Sequence, residues 1–410
     1  MMGIKTDWLK ISLVNLLIVS MIGVIMRYKI GFELLFFDQK HLQTAHSNFA
    51  FSGWISQTLM VLLCLLIKDQ ISKERAAIYD KVFAANLLFA YGMLFSFTFQ
   101  GYGMFSIVFS IGSVIVSYLF AILFFRDIRN SPLLEVRCWF QAALLFNLLS
   151  SFGGFALNLM MATKSIKQHL YLAAVYWYLH FQYNGWFFFA CMGLFFVYIQ
   201  KKHPSFRLTK KMFWLFGASC IPAYGLSVLW ADLPVIVYVV VVFSAIAQAV
   251  GWFEIFRQLK NHSFFKTDPI NKLGSLLLYL SLFSLTIKLS LQLGSTIPAI
   301  SKLAFGFRPI VIAYLHLVLL AFTSVFLMGY ICSNRLIAMN KATEVGLGIF
   351  IIGVFLNEIV LAIQGVFSLD YMVVPNVNLI LLWISVFMFI GLSILFYSQM
   401  GSQVNRIKDM

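Results

Sequence analysis

Residues 41–60 read HLQTAHSNFAFSGWISQTLM. The stretch passes from a polar approach into a long apolar run. It carries a histidine, His46, close to the entry, followed by Gly53 and Trp54. Two further stretches repeat the arrangement: YLHFQYNGW around His180 and AYLHLVLLAF around His316. The chain has seven histidines in all, so three at similar depth in long apolar runs pose a question. They are either ligands or packing residues.

The class of protein follows from composition. Hydrophobic residues make up 61% of the chain and charged residues 11%, about half the charge of an average soluble domain. Apolar runs of about 20 residues recur along the whole length, each long enough to cross a bilayer core of about 30 Å. The pattern is that of an all-α integral membrane protein. The short alternating segments of a membrane β-barrel are absent. The apolar run from Ile11 to Met26 is followed by no small-residue cleavage site, so it reads as a retained helix and not as a signal peptide. The five cysteines are scattered, with no CxxC and no CxxCH, which argues against a disulfide framework, a zinc site or covalently attached haem.

Twelve spans are expected, at 9–27, 44–67, 82–100, 104–125, 138–162, 170–199, 212–230, 233–256, 273–293, 309–332, 345–366 and 377–399. The loops after even-numbered spans are basic, as in QKKHPSFRLTKK and RQLKNHSFFKTDPINK, whereas QGYG and ADLP, after odd-numbered spans, hold no Lys or Arg. Of the 30 basic residues, only Arg27, Lys29, Lys40, Lys164, Lys167, Lys302 and Arg308 lie on the odd side, and Lys288 lies within a span. The positive-inside rule then puts both termini in the cytoplasm of a cell whose inner membrane holds the protein. The net charge of +15 is explained by this topology, with no nucleic-acid partner required. His46, His180 and His316 fall in the outer half of spans 2, 6 and 10. That recurrence suggests a single domain, 1–410, of three four-helix units, roughly 1–125, 126–256 and 257–410, in a pseudo-threefold bundle.

An imidazole within a membrane needs a partner. For any one of the three, a helix–helix hydrogen bond is an adequate account. Two histidines from facing helices also meet the needs of a bis-imidazole haem, with one axial nitrogen from each and the macrocycle edge-on in the bundle.

These patches resemble a known family. HLQTAHSNFAFSGW resembles the second helix of haem–copper oxidase subunit I, especially the branch of cb-type oxidases and nitric oxide reductases. VYWYLHFQYNGWFFFACMGLFFVYIQKK resembles its sixth helix, and RPIVIAYLHLVLLAF its tenth. The resemblance implies that His46 and His316 are the axial ligands of one low-spin haem b. Tyr314 then occupies the position of the ligand of a second, high-spin haem, and His180 matches a copper ligand. The other copper ligands, a His-His pair on the seventh helix, have no counterpart in MFWLFGASCIPAYGLSVLW. One imidazole does not make a copper centre, so copper is not expected and the dioxygen- or NO-reducing centre reads as dismantled. The implied role is electron transfer or redox sensing of NO or O2, with a redox protein or a quinone as partner.

Two rival readings stand beside this one. One is a true NO or O2 reductase with an atypical site using His180 and Tyr314. The other is a haem-free, proton-coupled transporter using the intramembrane charges Lys288 and Glu358, which are placed to pair with each other or to form a proton route. Glu254, near the cytoplasmic end of its span, reads as a snorkelling carboxylate. Arg308, Lys302 and Lys40 lie on the outer side, where haem propionates need cationic partners. Arg308 precedes His316 by eight residues, about 12 Å along a helix. His41 reads as a surface residue, and His169, His203 and His262 carry no assigned role.

Overall fold

In hydrocarbon no water is at hand for a backbone N–H or C=O, so each apolar run must satisfy its own polar groups and folds as a helix. The computed structural model describes residues 7–131, 133–262, 264 and 272–400, and the side chains of all of these except 130 and 302–305. Among the described residues there is no strand. The helices are α1 (Asp7–Gly31), α2 (Gln39–Leu66), α3 (Lys73–Gln100), α4 (Met104–Asp127), α5 (Arg137–Ala162), α6 (168–202), α7 (Lys210–Cys220), α8 (Val235–Asn261), α9 (Lys272–Gly294), α10 (Arg308–Ser333), α11 (Lys341–Leu369) and α12 (Val377–Met400). A short helix, Pro298–Gly306, precedes α10.

Polar side chains start several of them by accepting backbone N–H groups that have no partner within the helix. Asp38 accepts from the amides of Lys40 and His41 at the head of α2, and the His41 amide holds its carboxyl below the usual carboxylate range. Ser72, Thr209 and Asn340 cap α3, α7 and α11. Gly101, at φ +59°, ends α3 in a conformation that favours glycine, and the His41 ring lies where a side chain would begin.

Ten of these helices, α1–α5 and α8–α12, are long and apolar enough to cross a membrane, which makes the chain a multi-pass helical bundle. Two of the twelve expected spans differ from the others. The α6 helix is the longest, but His180, Gln182, Tyr183 and Asn184 interrupt its apolar character midway. The seventh expected span, 212–230, is broken: α7 stops at Cys220 and the chain tightens into a turn over Pro222–Val228. Pro222 has no N–H to continue the ladder, and its ring crowds the preceding turn.

Three helices form the centre. Residues 51–64 of α2, 180–199 of α6 and 321–332 of α10 are buried without interruption. Each widens at this depth into a π-helical stretch: Ala50–Ser56, Phe181–Phe187 and Leu317–Ser324. Wide turns need side chains to satisfy carbonyls the α ladder would have used. Asn15 of α1 donates to Gly53 O (2.5 Å), Asn86 of α3 to Ser52 O (3.0 Å) and Ser281 of α9 to Phe322 O (2.9 Å). Thr323 and Ser324 turn back onto the carbonyls five residues before them.

The three wide segments also hold one another. Trp54 Nε1 donates to Ser324 Oγ (2.9 Å), Trp186 Nε1 donates to Ser56 Oγ (3.0 Å), and the rings of Phe322 and Phe188 meet at 6.4 Å. Thus α2 reaches α10, α6 reaches α2, and α10 reaches α6. Each contact runs from the Trp or Phe of one helix to the residue two positions beyond the equivalent ring of the next.

Candidate functional site

His46 and His316 come together. His46 sits on α2 above the wide segment, its ring against Gly23 of α1 (3.7 Å from an ideal Cβ there) and beside the Val19 carbonyl. Its Nδ1 is buried and makes no hydrogen bond within the protein. His316 ends the regular α-helical part of α10. Its Nδ1 meets the Ile312 carbonyl at 2.9 Å, one turn earlier, so Nδ1 carries the proton and Nε2 keeps its lone pair. A histidine oriented by a carbonyl on one nitrogen, with the other free, is prepared to bind a metal. The two imidazoles lie close enough for the charge of one to act on the other, and Arg27 of α1 acts on both. Both histidines and Arg27 are half-buried.

The two histidine-bearing helices are tied near their N-terminal ends. Arg308 Nη2 donates to Gln43 Oε1 at 2.9 Å. Arg308 lies eight residues before His316, and Gln43 three before His46. Around this end α10 is loosely packed, and no residue from Arg308 to His316 is buried. Every residue from Pro309 to His316 is half-buried, with no exposed lipid-facing stripe. A groove of about 360 Å³ adjoins Arg27, walled in part by Phe32, Val373, Val377 and Leu382.

His180 stands apart from this pair. It is fully buried, and both ring nitrogens are engaged. Nε2 lies 2.9 Å from the Cys220 carbonyl, one of the groups released where Pro222 stops α7. Nδ1 meets Asn184 Nδ2 at 3.0 Å and Ser227 Oγ at 3.3 Å. In the neutral ring Nε2–H is therefore the donor and Nδ1 the acceptor. The three histidines are also not in one register. Counted back from Trp186 and Phe322, His180 and His316 both lie six residues away, whereas His46 lies eight before Trp54, level with Tyr178 and Tyr314. Tyr314 packs edge-on against Tyr183, with centroids 6.3 Å apart.

Of the two intramembrane charges, Lys288 of α9 is buried and faces α6, its Nζ 5.5 Å from the centre of the Phe188 ring. Glu358 of α11 is half-buried and accepts from Asn357 Nδ2 at 3.2 Å. Among the described residues no ion pair joins them. Glu254 does more than reach for water: it accepts from Lys211 Nζ at 2.5 Å. The side chain of Lys302 lies outside the described residues.

No protein-family model matches this chain, and no curated protein matches it either.

Reading the sequence alone missed Arg27, counted there only as a loop charge, and Cys220 and Ser227 as partners of His180, whereas Asn184 is a partner the sequence itself offers four residues on. The usable signal was in plain sight: Asn15, Arg27, Asn184 and Gln248 each interrupt an apolar run, and in a membrane such residues rarely lack a partner.

Proposed function

We propose that this chain is a haem b-binding membrane protein of the haem–copper oxidase subunit I type, holding one low-spin haem between His46 and His316 and serving electron transfer or the redox sensing of NO or O2. The observation that carries it is the approach of two histidines from different helices, one of them with its Nδ1 on a carbonyl and its Nε2 free, beside an arginine. The donor set fits the group. The orphaned Nδ1 of His46 and the loosely packed half of α10 fit it as well. When bound, such a haem supplies an iron that accepts and returns one electron.

The protein's own contribution is binding and orientation. The Ile312 carbonyl sets which nitrogen of His316 is free. Arg308 and Gln43 hold the two ligand helices at a common level, and Arg27, beside both histidines, offers a cation for propionates. Tyr314 and Tyr183 wall the neighbouring space. His180, saturated by Cys220, Asn184 and Ser227, acts as an internal hydrogen-bond hub in this reading, and no reducing centre is built on it.

The proposal includes the finer architecture: twelve crossings, with α6 and the α7 segment counted, both termini cytoplasmic, and three four-helix units. The cyclic contacts Trp54–Ser324, Trp186–Ser56 and Phe322–Phe188 support that threefold reading.

The test is a visible spectrum of the full-length protein, expressed with haem available and purified in detergent. A Soret band that shifts on reduction and is lost in both His46→Ala and His316→Ala is expected. No Soret band, or a spectrum untouched by both substitutions, refutes the proposal.

A further inference from the structure

A second polar site lies between α6, α7, α8 and α9, away from the His46–His316 pair and independent of haem. It is a narrow chamber whose lining includes Asn184, Phe188, Phe216, Cys220, Gln248 and Lys288. Its free space for the centre of a water is about 10 Å³, on the order of one molecule. Lys288 is 2% exposed and Asn184 5%, and no carboxylate lines the space.

Hydrogen-bond logic fixes what faces inward. The Cys220 carbonyl requires Nε2–H on His180, so Nδ1 must accept, and it accepts from the Asn184 amide nitrogen. That commits the other end of the amide: Asn184 Oδ1 is turned away from His180, is buried, and accepts nothing from the protein. A second orphan acceptor, Gln292 Oε1, lies one turn beyond Lys288 on α9. A buried amide oxygen without a donor costs about 1–3 kcal/mol, and an intramembrane lysine needs a partner as well. A small anion in the chamber would confront the Asn184 oxygen, whereas a water satisfies both sides at once.

We propose that the chamber holds one ordered water, accepting from Lys288 Nζ and donating to Asn184 Oδ1, and that Lys288 is thereby a proton-exchange site inside the membrane. In the exchange an Nζ–H bond breaks, its electron pair stays on nitrogen, and the proton forms an O–H bond with the water; the reverse step reloads the amine. The titratable groups facing Lys288 are Cys220 on α7 and, behind Asn184, His180 on α6; α8 presents Gln248, and α10 contributes nothing to the lining.

The experiment uses the full-length chain in lipid nanodiscs. Millisecond hydroxyl-radical labelling in ¹⁸O water marks side chains that touch bound water. Cys220 and Phe188 should take up label several-fold faster than Cys191 and Phe140, which are equally buried but lie off the chamber. Equal rates overturn the hydration site, and this comparison needs no variant. For the proton, the ¹⁵Nζ signal of Lys288 is identified by its loss in Lys288→Gln, or in Lys288→Arg should the former not fold. It should move between ammonium and amine positions across the pH range in which the protein stays folded. A signal fixed throughout overturns the exchange role.

Discussion

Replacing Asn15 by leucine tests what holds the first wide turn, and with it the wall behind His46. Asn15 is fully buried in α1, one turn before Val19. It makes two bonds: Nδ2 donates to Gly53 O at 2.5 Å, and Oδ1 accepts from the Tyr91 hydroxyl at 2.7 Å. Leucine has nearly the same size and removes both. In a soluble core two orphaned groups would cost about 2–6 kcal/mol together. Helix–helix hydrogen bonds in membranes are worth less, about 0.6 and at most about 1.7 kcal/mol each, because the unfolded chain also finds partners within the bilayer. The membrane figure governs here, since both bonds join neighbouring helices, so Asn15→Leu should cost about 1–3 kcal/mol. Tyr91→Phe removes one bond and should cost about half as much. Reversible unfolding in mixed micelles measures both, and the double variant separates the Tyr91 term from the Gly53 term. Asn15→Leu costing no more than Tyr91→Phe would refute the claim that Gly53 O needs its donor.

Other outcomes can be checked alongside. Gly23→Ala should leave the expected Soret band unchanged, while Gly23→Leu, whose longer side chain drives into the His46 ring, should weaken it in a visible spectrum. Gln399 is buried and bonds Ala338 N (2.9 Å) and Ala338 O (3.0 Å) between α12 and the turn before α11. Gln399→Leu should therefore lower stability by about 1–3 kcal/mol in the same unfolding assay. His203, just beyond α6, titrates below the usual histidine range through burial and then through the charges of His262 and Lys202. The unfolded chain then binds the proton more readily, so this residue's contribution to stability is present above about 6.5 and is lost as pH falls from there through the lower value of the folded chain. His203→Gln should flatten the acid side of a melting-temperature profile. Removing the exposed pair Lys211–Glu254 by Lys211→Met should change stability by about 1 kcal/mol or less in the unfolding assay, because water screens it.

Much was legible in the residues before any geometry. Span limits follow from apolar runs, and most helices begin and end within a few residues of them: 138–162 became Arg137–Ala162, and 309–332 became Arg308–Ser333. Hydrocarbon permits few alternatives to a helix, so local composition alone decides these elements. The exception is informative. The run at 212–230 is apolar enough, yet Pro222 breaks it, and a hydropathy reading passes over a proline that removes one donor. That His46 and His316 belong together was an expectation of the family resemblance; the helix spacing by itself treats all three histidines alike.

What the tertiary structure alone decided is how the three histidines differ. Their sequence contexts look alike, and any one of them reads either as a ligand or as a helix–helix hydrogen-bonding residue. Only packing brings the Cys220 carbonyl and the Ser227 hydroxyl, 40 and 47 positions away, to His180, where Asn184 of its own helix completes the set, whereas the one partner of His316 comes from its own helix and leaves Nε2 free. Likewise, no local pattern indicates that Lys288 faces Asn184 and not Glu358. A bilayer makes helices from composition, but the partner of each interior polar group depends on which helices meet, and at what depth.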